Sequence, residues 1–496
     1  MHTVLPSSRR LLLSLQVLAA CLTGLLIPLS FTGPAVVLPA LAGMPGASPS
    51  ALNWVVNAYI LSYGSAMMVA GSLTDVLGRR RVWLAGLALF CMATVAIAAA
   101  PSVPLMAVLR LVQGLGGAAA FAAAMSSLAP LFRGAARNRV MSLLGTTFGA
   151  GLAFGPLAAG AMLAVAHWPA VFHATAALGV LGLLLAAASV PRDPVLASGR
   201  LDWPGAISFS GALALLTTAL LLAPKHGWRS AAVLGPAVAS LLLWWLFVRI
   251  EKTVTQPLLD LSLFRQRRFV GVQVLAASPA FLFIVLVVML PGRLIGAEGL
   301  APLAAGQLMM ALAAPLLVVP RLSGLLLRCC GAASLCAAGL LLAALGLAWL
   351  ALAGTGVLPL LLIGAGIGLP WGLMDAMALN VVEPQRAGMA TGIFNTVRVS
   401  ADGVALAVAG AVLAGLIGNG LADMLPAQLP IAQAASRAAL GDLRQAAQML
   451  PGQLDLLRAT YDAAFRQLLL LLSGLSATTA LLLWYLLKAP RQASTP

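Results

Sequence analysis

Acidic side chains are scarce in this 496-residue chain: there are 13 aspartates and glutamates, and charged residues of both signs make up only 8%. A water-soluble protein carries roughly 25% charged residues to solvate its surface. This composition therefore excludes a chain whose outer surface faces water throughout. Histidine (4) and cysteine (5) are also few. Cys21, Cys91, Cys329, Cys330 and Cys336 lie in or beside apolar runs without metal-ligand spacing, so free thiols are expected. His167 and His173 stand six apart near a loop and do not make a metal site by themselves. With no nucleotide-binding loop and no nucleophilic triad either, no cofactor and no enzyme chemistry are expected.

What abounds is apolar: 61% of the residues are hydrophobic, and the solvent for them must be largely lipid. The net charge of +16 would point to nucleic acid in a soluble protein. Here the arginines sit in short loops beside apolar runs, as the positive-inside rule predicts, and no nucleic-acid partner is expected. At the N-terminus, Arg9-Arg10 imitates a signal peptide and Leu18-Ala19-Ala20-Cys21 a lipoprotein cleavage box. Apolar character continues to Leu38, too far for a signal h-region, so the segment reads as a retained first helix.

A crossing helix needs roughly 20 mostly apolar residues to span a ~30 Å hydrocarbon layer. Fourteen segments meet this, at about 11–38, 53–73, 82–100, 104–131, 140–165, 170–190, 203–223, 230–250, 269–290, 301–322, 331–353, 357–380, 393–418 and 464–488. Backbone polar groups in lipid must be satisfied within each segment, which makes these helices. The segment from 301 is the weakest, with Pro302, Pro315 and Pro320. With both termini cytoplasmic, about 20 of the 29 lysines and arginines fall inside and about 7 outside, alternating loop by loop. Two connections are longer. Residues 251–268 form an inside linker, and residues 419–463 an outside loop broken by Pro451-Gly452. The outside loop reads first as a solvated helical hairpin, with a membrane-surface helix or a lid as alternatives.

Between the second and third segments runs Gly71-Ser72-Leu73-Thr74-Asp75-Val76-Leu77-Gly78-Arg79-Arg80-Arg81. It resembles the G-x-L-x-D-R-x-G-R-R loop of the major facilitator superfamily, with Val76 in place of an arginine. Gly71 is expected to admit a close helix neighbour, Gly78 to allow the tight turn, and Asp75 to pair across a domain interface. Trp54-Val55-Val56-Asn57-Ala58-Tyr59 resembles the opening of the second helix in drug:proton antiporters of that family. Arg110, Gln113, Gly114 and Gly116 resemble the R-x-x-Q-G-x-G motif of its fourth helix. Gly151 to Gly160, with Gly155 and Pro156, resembles the antiporter motif G-x-x-x-G-P-x-x-G-G. Leu201-Asp202-Trp203-Pro204-Gly205-Ala206, Pro257-Leu258-Leu259-Asp260-Leu261 and the stretch Gly388 to Arg398 resemble signatures of its fourteen-helix branch.

The resemblance implies an all-α polytopic membrane protein of the major facilitator fold. Its fourteen helices would form two six-helix bundles, 1–200 and 269–496, with two inserted helices and a linker at 201–268. It also implies gating by Gly71, Asp75, Gly78, Arg79, Arg80, Gly151, Gly155 and Pro156, and a substrate site near the bilayer midplane with alternating access. A degenerate second copy of the gate motif, Ser323 to Gly331, keeps Arg328 but has lost the carboxylate.

Four ionisable residues fall inside the apolar segments: Arg110, Asp375, Arg398 and Asp402. Such groups are costly in lipid and face a cavity or one another. The resemblance implicates Arg110 in proton coupling; a structural hydrogen-bond hub is its alternative. The antiporters carry an aspartate in the first helix where this chain has Ser30, which cannot titrate, and Gly33-Pro34 should weaken or kink that helix. Asp375 is then the better proton-site candidate. Arg398 and Asp402, one helical turn apart, are expected as a switchable ion pair; a static pair is the alternative. Met67, Met125, Phe148, Phe154, Trp371 and Met374 are expected on the cavity wall, since methionine and aromatic surfaces adapt to varied ligands; packing is their alternative.

The resulting expectation is a monomeric, multi-pass transporter of the inner membrane. It would export lipophilic or cationic small molecules, with the proton gradient as energy source. A dedicated single-metabolite exporter or an uncoupled facilitator of the same fold is the nearer rival, and a membrane-embedded enzyme on lipid-linked substrates the remote one.

Overall fold

The computed structural model describes residues 7–128, 131–132, 134–191, 202–227, 229–254, 259, 261–327, 329–381, 387–426, 429–439 and 441–488; the side chains of Asp75 and Asp375 lie outside the described set. The described residues are helical with no strand. The order is α1 (Ser7–Leu41), α2 (Pro49–Leu77), α3 (Arg79–Ala98), α4 (Val103–Leu128), α5 (Gly134–Val165), α6 (Pro169–Ser189), α7 (Trp203–His226) and α8 (Ala231–Glu251). Then come α9 (Arg267–Pro279), α10 (Val285–Gly296), α11 (Pro302–Ala313), α12 (Pro315–Leu326), α13 (Ala332–Ala353), α14 (Val357–Asn380) and α15 (Ala387–Ala422). The last three are α16 (Ile431–Ala439), α17 (Leu443–Met449) and α18 (Leu454–Lys488).

Each of the fourteen expected segments coincides with a helix or a helix pair. Among the described residues, twelve helices are long and apolar enough to cross a membrane, or thirteen with the bent pair in α5. The count of fourteen is thus approached rather than reached. The bend, 41° between Leu143–Leu152 and Phe154–Val165, has a local cause. Pro156 lacks an N–H for the carbonyl of Leu152 and its ring crowds that turn. Pro279 acts similarly: α9 passes through a π-helical turn, Ala280–Ile284, before α10 resumes the span. The weak segment from 301 is a helix pair that divides at Pro315. In contrast, Gly33-Pro34 does not interrupt α1, which is continuous with Pro28, Pro34 and Pro39 inside it.

Local chemistry sets the ends. Ser48 caps α2 by accepting from the Ala51 amide at 3.1 Å, with Pro49 in the first turn. Asp202 caps α7 in the same way, accepting from the Gly205 amide at 2.9 Å, so the Asp-Trp-Pro-Gly signature is a helix start. The Glu251 carboxylate closes α8 by accepting from the Leu259 amide at 2.9 Å. Gly78 separates α2 from α3 at φ +90°, a conformation that a Cβ disfavours.

α1–α6 pack on one another, as do α9–α15 with α18, and corresponding helices meet in corresponding ways. In lipid there is little hydrophobic gain from helix association, so small residues that let backbones approach carry it. In the first group α3 meets α4 where Gly86 faces the Gly116 carbonyl, at 2.9 Å from an added Cβ. In the second, α13 meets α14 where Gly339 faces the Gly366 carbonyl, at 2.5 Å. The groups touch through α2 with α15 and through α5 with α11 and α12. α7 and α8 pair with each other, and α7 lies against α2 and α15. The hydroxyl of Ser210 there donates to the Ser65 carbonyl.

Candidate functional site

Between the two groups lies a cavity of about 400 Å³. It occupies the half of the molecule away from the Gly71–Arg81 turn. Ala35 and Leu38 of α1 and Asn53, Trp54, Val56 and Asn57 of α2 form one wall. Met289 of α10 and Leu406, Ala411 and Ala414 of α15 form the other, with Leu220 of α7 at the side. Towards the arginine-rich end it is closed by backbone contact: a Cβ at Gly64 of α2 would lie 3.3 Å from Ser400 Cα and from the Val399 carbonyl of α15.

The roof comes from the connection 423–453. Gln433, Ser436 and Arg437 of α16 and Met449 of α17 line the cavity. The expected solvated hairpin is therefore corrected: this connection docks on the helices and completes the site. Its anchor needs glycine on both sides. Gly441 adopts φ +84° with its Cα side 2.8 Å from Gly292 Cα, as measured from an added Cβ, and Gly296 faces the Gly441 carbonyl with no room for a side chain.

Arg110 is fully buried one layer behind the α2 wall. Its Nε donates to the Val55 carbonyl at 2.7 Å and its Nη1 to Gln113 Oε1 at 2.6 Å. Gln113 Nε2 in turn donates to Thr94 Oγ1 at 2.7 Å, tying α2, α3 and α4 together. The guanidinium carbon lies 4.5 Å over the Tyr59 ring, whose hydroxyl donates to the Ile27 carbonyl at 3.2 Å. Gly114 and Gly116 supply the close approaches, to the Tyr59 carbonyl on α2 and to Phe90 on α3. No ion pair of Arg110 occurs among the described residues, and its Nη2 has no hydrogen-bond partner there. These bonds make Arg110 a hydrogen-bond hub among α2, α3 and α4.

Arg398 sits at the junction of the groups, buried among three rings. Its guanidinium carbon lies 5.5 Å from the Phe148 centroid on α5, 5.9 Å from Trp371 on α14 and 5.8 Å from Phe394 on its own helix. The expected ion pair with Asp402 is not formed: among the described residues the ion pairs are those of Arg293 with Glu298 and Asp462, both at 3.3 Å. Three ring faces surround the guanidinium as a cage. Asp402 is nevertheless buried within the field of Arg398, beside the buried Tyr63 hydroxyl, which has no hydrogen-bond partner. One turn further along α15, Leu406 reaches the cavity wall.

None of the six expected wall residues lines this cavity. Met67, Phe148, Trp371 and Met374 are buried in helix packing, Met125 is half-buried, and Phe154 is exposed. Phe148 and Trp371 instead form the cage, 6.4 Å apart. In the antiporter motif, Gly151 and Gly155 pack on α1, against Pro28 and Thr32, while the Pro156 carbonyl lies 3.2 Å from the added Cβ of Gly306 on α11. The motif thus sits at the α5–α11 contact between the groups. Gly71 is corrected: among the described residues nothing lies within 4 Å of an added Cβ, so none of them approaches it closely. Arg80 donates from Nη2 to the Ala187 carbonyl at 2.8 Å, holding the start of α3 to the end of α6, and Arg79 is half-buried beside it. The side chains of Asp75 and Asp375 and all of Arg328 lie outside the described residues.

The residues that reading the sequence missed are Asn53, Asn57 and Arg437. Asn57 stands in the Trp54–Tyr59 stretch where the resembled W-V-V-T-A-Y pattern has threonine, and that departure was a usable signal. Arg437 carried none, because one basic residue in a loop looks like any other.

The profile of the Major Facilitator Superfamily matches residues 20–406. The multidrug resistance protein Stp of Mycobacterium tuberculosis is 27% identical over 84% of this chain and 79% of its own length. The cephamycin export protein of Amycolatopsis lactamdurans is 31% identical over 78% of this chain and 82% of its own. Among solved structures, the human organic anion transporter MFSD10 (TETRAN) aligns over 97% of this chain and the whole of its own with a TM-score of 0.59; at 16% identity the likeness concerns the fold alone. With the family profile matched over most of its length and antibiotic exporters among its relatives, the chain belongs to the Major Facilitator Superfamily.

Proposed function

We propose that the protein is a secondary transporter that exports lipophilic small molecules across the inner membrane by alternating access, with the proton gradient as its energy source. The cavity carries this reading. It is shared between two helix groups, mostly apolar, and closed by direct α2–α15 contact towards one end. A carrier that rocks about a central site needs such a space. Its volume suits a drug-sized ligand. Relatives named for multidrug resistance and cephamycin export support an antibiotic-like cargo, and membership of a transporter family supports a carrier over an enzyme.

In this reading residues 1–200 and 269–496 are the rocking bundles, and 201–268 carries the inserted pair α7 and α8 with its linker. The arginine-rich end faces the cytoplasm with both termini, the chain acts as a monomer, and Asp75 with Arg79 latches the inside. Asp375 and Asp402 are the coupling candidates. An uncoupled facilitator is favoured by one observation: Ser30, at the place of the antiporter acid, spends its hydroxyl on the Leu26 carbonyl at 2.8 Å.

A compound-susceptibility panel in an efflux-deficient host tests the main reading. The wild type raises tolerance to several lipophilic compounds, and Asp75→Asn and Asp375→Asn lose most of that gain while remaining folded in the membrane. Unchanged tolerance to every compound would reject export. A pH jump across proteoliposomes separates the two readings, because a facilitator moves substrate independently of the imposed gradient.

A further inference from the structure

We infer that the cavity selects amphiphiles bearing an acidic group, a carboxylate or sulfonate, and that Arg437 on the roof is the residue that recognises it. The inference rests on the transporter reading and names its cargo. Of the described residues that line the cavity, Arg437 alone carries a charge, and no aspartate or glutamate is among them. Among the described residues Arg437 makes no ion pair, and its Nε is buried without a hydrogen-bond partner. A half-buried guanidinium with open donors, above an apolar space, supplies what an anionic headgroup needs. The same charge repels a cation in a site that offers no counter-charge.

The placement is built rather than incidental. Ala434, Ala435 and Ala438 of α16 are buried, with the Ala435 Cβ 3.7 Å from an added Cβ at Gly418 on α15. Seated on that face, α16 turns Gln433, Ser436 and Arg437 to the cavity, and the Gly441 contact with Gly292 and Gly296 fixes its end. Across the space, the Oδ1 of Asn57 is buried and accepts no hydrogen bond. It offers a place for a hydroxyl or amide N–H on the ligand body. A cavity of about 400 Å³ holds one drug-sized molecule. On this inference an anionic cargo is favoured over the lipophilic or cationic one expected from the sequence.

Three matched probes test this: 1-pyrenebutyrate, 1-pyrenebutanol and the 1-pyrenebutyl trimethylammonium ion. Binding is measured on the full-length protein in phosphatidylcholine nanodiscs, with empty nanodiscs subtracted. The wild type is expected to bind the butyrate about 10- to 100-fold more tightly than the alcohol, and the cation least. Arg437→Gln should erase the preference, Arg437→Lys should keep part of it, and Arg437→Glu should invert it towards the cation. Monodisperse elution of each variant shows that the roof mutations leave the helices folded. Equal or better binding of the alcohol or the cation by the wild type would overturn the inference, as would an unchanged preference in Arg437→Gln. Absence of binding of all three probes would overturn it as well. Efflux of the same probes from proteoliposomes keeps the two ideas apart: transport without anion preference rejects only the cargo, and anion binding without transport of any probe rejects only the carrier.

Discussion

Among the described residues two arginines are buried in the helix bundle, and their surroundings differ in kind. Arg110 is held within one group of helices: a carbonyl of α2, a glutamine of its own helix and the face of Tyr59 leave it nowhere to go. Arg398 stands where the groups meet, with Phe148 from one and Trp371 from the other about 5.5 Å and 5.9 Å away. Directional hydrogen bonds within a bundle resist motion, whereas ring faces tolerate a guanidinium that slides as bundles rock. The first charge thus lies within one helix group and the second at the junction of the two.

The sharpest break of that comparison is Arg110→Ala. It strands the Val55 carbonyl and the Gln113 amide in a dry interior, each worth about 1–3 kcal/mol. The folded fraction in detergent, read by fluorescence size-exclusion, should fall severely; a well-folded variant would remove Arg110 from the frame. Arg398→Ala should fold and still lose transport by about tenfold, since ring contacts worth about 1–2 kcal/mol bias one conformational state. A variant that transports normally would make the cage mere packing. For the roof, Gly441→Ala forces a Cβ onto an αL backbone at about 1–2 kcal/mol and into Gly292. Maleimide labelling of a cysteine introduced by Ala411→Cys should then quicken as the roof lifts. The smallest contrast lies in the gate turn. Gly78→Ala should cost about 1 kcal/mol of thermal stability. Gly71→Ala, with open space around it, should stay within about 0.5 kcal/mol or gain slightly from helix propensity.

Much of the fold was legible because lipid leaves the chain few choices. Apolar length alone located the helices, whereas the caps at Ser48 and Asp202 came from the structure. The site was less legible. Met67, Phe148, Trp371 and Met374 were expected on the cavity wall and are buried in helix packing, because helical period does not say which buried face meets a void. The Arg398–Asp402 pair followed from spacing, yet a turn of helix only permits a contact. The rings of Phe148 and Trp371, arriving from other helices, and Phe394 of its own helix lie around the guanidinium, and spacing along one helix announces neither of the first two.

Sequence by itself therefore determined the solvent, the helical segments, the family and the four charges that needed shelter. Each of these depends on local composition or on short motifs read in order. Tertiary structure alone decided that Gly71 has no close neighbour among the described residues, that Arg110 is hydrogen-bonded within one helix group while Arg398 sits where the two groups meet, and that a loop arginine more than 370 residues from Asn57 looks into the same cavity. Those facts arise from glycine-to-backbone contacts between distant segments, Gly441 on Gly292 above all, and such contacts leave no periodic trace in the chain.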